Sequence, residues 1–163
     1  YDLKTNGVSK EQALDMARLI AALHYHYAKA IVEAVGEAKG RQIVATAIQR
    51  YGEERGRKIR RRAEAAGRPL NLESQREFYD LPLGELWEGE GKRKGNQSLS
   101  RVDYCPFAEY WREVGGEELG RLYCHQDEAL ARAFNSAIEF TCEKNVLEGD
   151  AYCQMRSVLS ENG

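Results

Sequence analysis

One apolar stripe constrains the fold of this chain more than any other feature. Ala13, Met16, Ile20, Leu23, Tyr27, Ala30 and Ala34 recur at alternating steps of three and four, which places them on one helix face. Ser9 with Gln12 three residues later forms a capping-box pattern ahead of the stripe, and Gly36 is its stop. The pattern predicts a second helix over residues 39–66, with Ile43, Val44, Ala47, Ile48 and Tyr51 turned inward. "GRP" at Gly67 to Pro69 ends it, because proline has no N–H for the helical ladder. Residues 1–68 therefore read as a helical scaffold whose apolar face needs a partner layer.

The rest of the chain changes character. "LNLESQREFYDLPLGELW" suits a broken helix or a short strand, and Glu88 to Ser98 reads as a solvated loop, a candidate for a lid or a flexible tip. "SLSRVDYCP" alternates like a strand, Pro106 opens a helix closed by Gly115 and Gly116, and Gln126 to Phe134 is helical. "SAIEFTCEKNVLEGDAYCQMRSVL" reads as a hairpin. An even loop centred on Glu148-Gly149 pairs Lys144 with Cys153 and sets Cys142 and Cys153 on one face of the sheet; an odd loop separates them. The fold class expected is α+β, in which N-terminal helices pack on a small antiparallel sheet with a C-terminal hairpin. The 163 residues suffice for a single domain, with residues 99–160 as the cysteine-containing half that carries the site.

Composition narrows the function. A net charge of −2 favours neither nucleic acid nor an anionic membrane. The one basic run, Arg55 to Arg62, sits between "GEE" and "AEA" without aromatic interleaving, and reads as a solvated helix face. No apolar run is long enough to span a bilayer, and the start of the chain lacks an apolar signal core. A reducing cytoplasm is the compartment expected, so Cys105, Cys124, Cys142 and Cys153 are expected as free thiols.

All four cysteines fall in the last 60 residues or so, which suggests one local site. Cys124 and Asp127, three apart on a helix, face the same way and could act as nucleophile and proton acceptor or as two metal ligands. His125 points elsewhere. The cysteine intervals of 19, 18 and 11 residues contain no CxxC pair, a poor match to structural zinc. A site for a divalent metal on Cys124, Cys142 and Cys153 remains the alternative chemistry. His24 and His26 diverge on their helix and cannot chelate together.

Taken together, "CPFAEYWREVGGEELGRLYCHQDEALARAFN" and "LEGDAYCQM" resemble the L-2-amino-thiazoline-4-carboxylic acid hydrolase family. The positions that carry the resemblance are Cys105 with Pro106, Gly120, Tyr123 with Cys124, Asp127, Phe134 with Asn135, Gly149 with Asp150, and Cys153. Ala133 and Ser136 depart from it where Gly and Pro are common. A more distant similarity is to vinyl-reductase-type small-molecule-binding domains. The resemblance implies hydrolysis of a cyclic C=N bond, with Cys124 as nucleophile and Asp127 or His125 moving the proton. Cys105, Asn135, Cys142, Asp150 and Cys153 would then line the substrate pocket, with a small molecule as partner and a homodimer as a possible assembly. The alternative is a binding or sensor domain without turnover.

Overall fold

The computed structural model describes residues 9–81 and 86–160. Its order is α1 (Lys10–Val35), α2 (Glu37–Ala65), α3 (Leu72–Glu77), β1 (Glu88–Lys94), β2 (Gln97–Tyr104), α4 (Pro106–Glu113), α5 (Glu117–Cys124), α6 (Gln126–Phe134), β3 (Ile138–Lys144) and β4 (Cys153–Leu159). The strands form one antiparallel sheet in the order β1-β2-β4-β3, with helices ahead of it and between β2 and β3. The architecture is α+β, as expected.

Local chemistry explains the ends of these elements. The Ser9 hydroxyl accepts from the Gln12 N–H while the Gln12 side chain accepts from the Ser9 N–H, so both orphan donors are satisfied. Proline at the first turn of α4 gives up an N–H that would have had no partner there. Two apolar clusters then join the layers. One gathers α1, α2, α4 and α5 around the fully buried Trp111, whose indole donates to the Ala21 carbonyl at 3.0 Å. The other unites Ile59, Leu72, Leu130, Phe134 and Ile138 across α2, α3, α6 and β3.

Two expectations are corrected. The inward face of α1 is set by Ala17, Ala21 and Ala28, whereas Met16, Leu23 and Tyr27 are 58%, 61% and 64% exposed. Ala30 and Ala34 are exposed too, and on α2 Val44 and Ile48 are buried while Ile43, Ala47 and Tyr51 are not. The small residues allow close helix approach, so the face with smaller side chains packs inside. Residues 88–98, read as a loop, are instead the β1–β2 hairpin. All seven residues of β1 are exposed, so backbone pairing to β2 holds it, with ion pairs from Glu88 to Lys10 and from Arg93 to Glu73 at the surface. Gly95, at φ 59°, supplies the first position of a two-residue turn that Lys94 and Gln97 close.

Two glycines inside α2 have a packing reason. A Cβ on Gly52 would lie 2.4 Å from the Gln126 carbonyl oxygen, and one on Gly56 would lie 2.3 Å from that of Leu130. The α2 backbone thus rests directly on α6. Glycine costs a helix about 1 kcal/mol relative to alanine, yet Gly56→Ala is expected to lower stability by about 1–3 kcal/mol because the neighbour it meets is backbone. Urea unfolding measures this; an unchanged or raised midpoint would contradict the close seam.

Candidate functional site

The hairpin that carries Cys142 and Cys153 does not turn on two residues. β3 ends in a bulge between Cys142 and Lys144, so Cys142 opposes Met155 while Lys144 opposes Gln154, one residue beyond the expected Cys153. Asn145, a single 3-10 turn (Val146–Glu148) and Gly149 at φ 95° complete the reversal. Cys153 lies two residues from Met155, so it shares a sheet face with Cys142 as a diagonal neighbour. Asp150 locks the turn by accepting the Asn145 N–H at 2.8 Å. Arg112 of α4 donates to the Val146 carbonyl at 2.7 Å, and Arg121 of α5 pairs with Glu148 at 2.9 Å. The hairpin tip is thereby fixed against the helices that bear the other cysteines.

All four cysteines are free and partly exposed. Cys105 immediately precedes α4, where burial raises its thiol pKa against the N–H groups of Ala108 and Phe107 and the Trp87 indole. Burial raises Cys153 as well, although the Val146 N–H donates to its sulfur at 3.4 Å. The Cys142 thiol donates to the Lys144 carbonyl at 3.3 Å. Cys124 ends α5, and its thiol is pushed up to about 12 by burial first and by the charge of Asp127 second. The four feel one another electrostatically: Cys105 bears on Cys124 and on Cys153, and Cys142 bears on Cys153. The four unpaired cysteines thus lie within electrostatic reach of one another.

Asp127 is the charged centre of that neighbourhood. Burial lifts its carboxyl from an ordinary 3.8 to about 6, against the lowering effects of Arg55, a Tyr79 hydrogen bond and Arg121. The Gln126 amide donates to Asp127 Oδ1 at 3.0 Å, and the Tyr79 hydroxyl at 3.5 Å. Behind it Arg55, only 5% exposed, donates through Nε to Asp80 Oδ2 at 3.0 Å and through Nη1 to the Gln126 side chain. Its guanidinium lies 5.3 Å from the Tyr79 ring centroid and 5.5 Å from that of Tyr51. Arg55 was expected in a solvated basic face; the glycines on either side of it let α2 approach α6 closely enough to bury it.

Three residues escaped the sequence reading. Arg55 was hidden among other arginines. Asn145, buried at the strand end, directs its amide at the Cys142 sulfur (3.7 Å) and also lowers the Cys124 thiol pKa, so it bridges two cysteines. The signal was an Asn leading a turn, whose Oδ1 accepts the Leu147 N–H at 2.9 Å. Tyr79 lay in the stretch that periodicity did not resolve.

Other candidates lie elsewhere. His125 sits at the α5–α6 junction and is exposed, its pKa lowered by partial burial and by Arg121. Asn135 spends its side chain on backbone, donating to the Leu70 carbonyl at 2.8 Å and accepting the Ala137 N–H at 2.9 Å. Among the described residues no three His, Cys, Asp or Glu side chains are grouped to hold a metal ion. The thiol neighbourhood therefore does not fit one. Likewise, no helix among the described residues is long and apolar enough to cross a membrane.

Solved structures share this architecture. A trafficking protein particle complex subunit 3 from Naegleria fowleri, covalently bound to palmitic acid, superposes with a TM-score of 0.57 at 12% identity, covering 89% of this chain and 95% of that one. The phenol-responsive sensory domain of the transcription activator PoxR, with phenol, has a TM-score of 0.57 at 12% identity, covering 90% and 76%. At such identity the likeness is one of fold. No curated protein matches in sequence. The match that reaches across the site is to a family: residues 16–157, from α1 to β4, fit the L-2-amino-thiazoline-4-carboxylic acid hydrolase description. The chain belongs to the L-2-amino-thiazoline-4-carboxylic acid hydrolase family.

Proposed function

We propose that this protein is a hydrolase that opens a small cyclic C=N substrate, an aminothiazoline carboxylate, to a carbamoyl-cysteine-type product. Family membership supports the reaction class. The observation that carries the chemistry is a buried carboxylate with a pKa of about 6 whose charge bears on the Cys124 thiol. A base poised near neutrality is what proton transfer requires.

Cys124 is a thiol at rest, so it needs a partner to take its proton as it reacts. In the proposed sequence its sulfur bonds to the ring carbon between nitrogen and sulfur while Asp127 accepts the thiol proton. The bond from that carbon to the ring sulfur breaks, and the ring sulfur takes the proton from Asp127. Water then adds to the same carbon, again giving a proton to Asp127. The bond to Cys124 breaks, its thiol is restored, and the former ring carbon leaves as a carbamoyl group. Asn145 steadies the attacking sulfur, and Arg121, whose charge bears on the Cys124 and Cys153 thiols, is the cation for a substrate carboxylate. Cys105, Cys142 and Cys153 would surround the bound substrate.

Cys124→Ala is expected to lower kcat on 2-amino-thiazoline-4-carboxylate by at least about 10²-fold with an unchanged circular dichroism spectrum. Full activity in that variant would remove the thiol scheme. A second reading, ligand sensing without turnover, draws on the raised thiols and on the phenol-bound fold neighbour. It predicts saturable binding of the same compound with no product released.

A further inference from the structure

Arg121 is the arginine at the thiols whose donors are not spent. Arg55 gives its hydrogen bonds to Asp80 and Gln126, and Arg112 gives one to the Val146 carbonyl. Arg121 has one ionic neighbour among the described residues, Glu148, with a carboxylate oxygen 2.9 Å from Nε. That contact pairs charges without making a hydrogen bond. The Nε–H is sealed from solvent, out of line with the Glu148 oxygen, and has no acceptor among the described residues. A buried donor left so is costly, and the guanidinium stands to gain from an anion that approaches in line.

The two partners differ in freedom. The Arg121 side chain is 20% exposed and that of Glu148 is 55% exposed. Glu148 ends the 3-10 turn at the hairpin tip, next to Gly149. Other groups hold the backbone of that tip: Asp150 on the Asn145 N–H and Arg112 on the Val146 carbonyl. The Glu148 side chain can therefore swing into water while the turn stays in place. We infer that Glu148 is a resident counter-ion that a small carboxylate displaces from Arg121, and that this exchange sets which charge the thiol site selects. The empty site keeps its cation neutralised, and an incoming carboxylate gains the two-pronged, in-line contact that a guanidinium offers. The anion so held lies beside Cys124 and Cys153, on both of which the Arg121 charge bears. That the carboxylate belongs to an aminothiazoline rests on the hydrolysis proposed above; the exchange at Arg121 does not.

Iodoacetate and iodoacetamide alkylate the same thiolates and differ in the carboxylate. Their rate ratio at Cys124 and Cys153, read by mass spectrometry on the full chain, therefore reports the exchange and cancels any change in thiol ionisation. Glu148→Gln is expected to raise the ratio about 5-fold, and Arg121→Met to lower it. Glu128→Gln removes another carboxylate that bears on His125, one paired with Arg132, and is expected to leave the ratio within about 2-fold. With 2-amino-thiazoline-4-carboxylate as substrate, Glu148→Gln is expected to lower KM about as much as it raises the ratio, without raising kcat. A ratio that Glu148→Gln does not raise overturns the exchange, as does an equal rise in Glu128→Gln, which would reduce it to net charge. A raised ratio in a protein that turns nothing over keeps the carboxylate subsite and removes the hydrolase. Turnover with ratio and KM both unmoved does the reverse.

Discussion

Asp127→Asn is expected to cut turnover of an aminothiazoline carboxylate by about 10²–10⁴-fold and at the same time to stabilise the protein above pH 7. The two effects share one cause. The carboxyl is raised from 3.8 to about 6 by burial, so the native state holds a proton that the unfolded chain releases between those values. Stability from that protonated form is fully present below about pH 4 and is lost as the pH rises through about 6. The catalytic form is the ionised one, so kcat rises through the same pH and levels off above it. Asparagine keeps the shape without the charge, and is expected to gain about 1–3 kcal/mol at pH 8. Denaturant unfolding and a pH–rate profile on both proteins check it. A variant that loses activity and stability together at pH 8 would mean that the carboxylate is structural.

Arg55→Met is expected to cost about 3–5 kcal/mol, because it leaves Asp80 and the Gln126 amide without their buried partner. Arg55 and Asp80 side chains are 6% and 15% exposed, so solvent replaces little of what is lost. Pairing holds the Asp80 carboxyl below its ordinary value in spite of burial. Arg55 also lowers the Asp127 pKa, and its removal is expected to move the acid limb of the rate profile above pH 6. The double variant Arg55→Met/Asp80→Asn is expected to restore part of the stability and, because the Asp80 charge itself raises the Asp127 pKa, to reverse part of the pH shift. Thermal unfolding and kcat against pH separate the two; an unmoved acid limb would cut the link between Arg55 and the catalytic carboxylate.

The sequence carried local signals well and relations between distant segments poorly. Ser9 and Gln12, Pro106, Gly149 and Asp150 announced their turns because capping and left-handed backbone depend on adjacent residues. The four free cysteines and the shared face of Cys142 and Cys153 were also legible, whereas Cys124 and Asp127, read as lying on one helix, fall on either side of a break at His125. Which side of α1 is buried was not. A stripe of larger side chains reads as core, yet what selected the inner face was the close fit of Ala17, Ala21 and Ala28 against other helices. Arg55 illustrates the same limit. Its burial depends on Asp80, 25 residues on, and Gln126, 71 residues on, and no window of the sequence contains all three.

The seam between α2 and α6 has a consequence for how such a protein can vary. Gly52 and Gly56 set the helix separation by main-chain contact, and Arg55 stands between them with its partner Gln126 on the opposite helix. The gap from cation to carboxylate is thus gauged by atoms that every amino acid has in common. Leucines, valines and phenylalanines elsewhere in the interior can be exchanged over generations without altering that gap. Mutational drift is then free to reshape what surrounds the thiols while the cation and the carboxylate stay in adjustment.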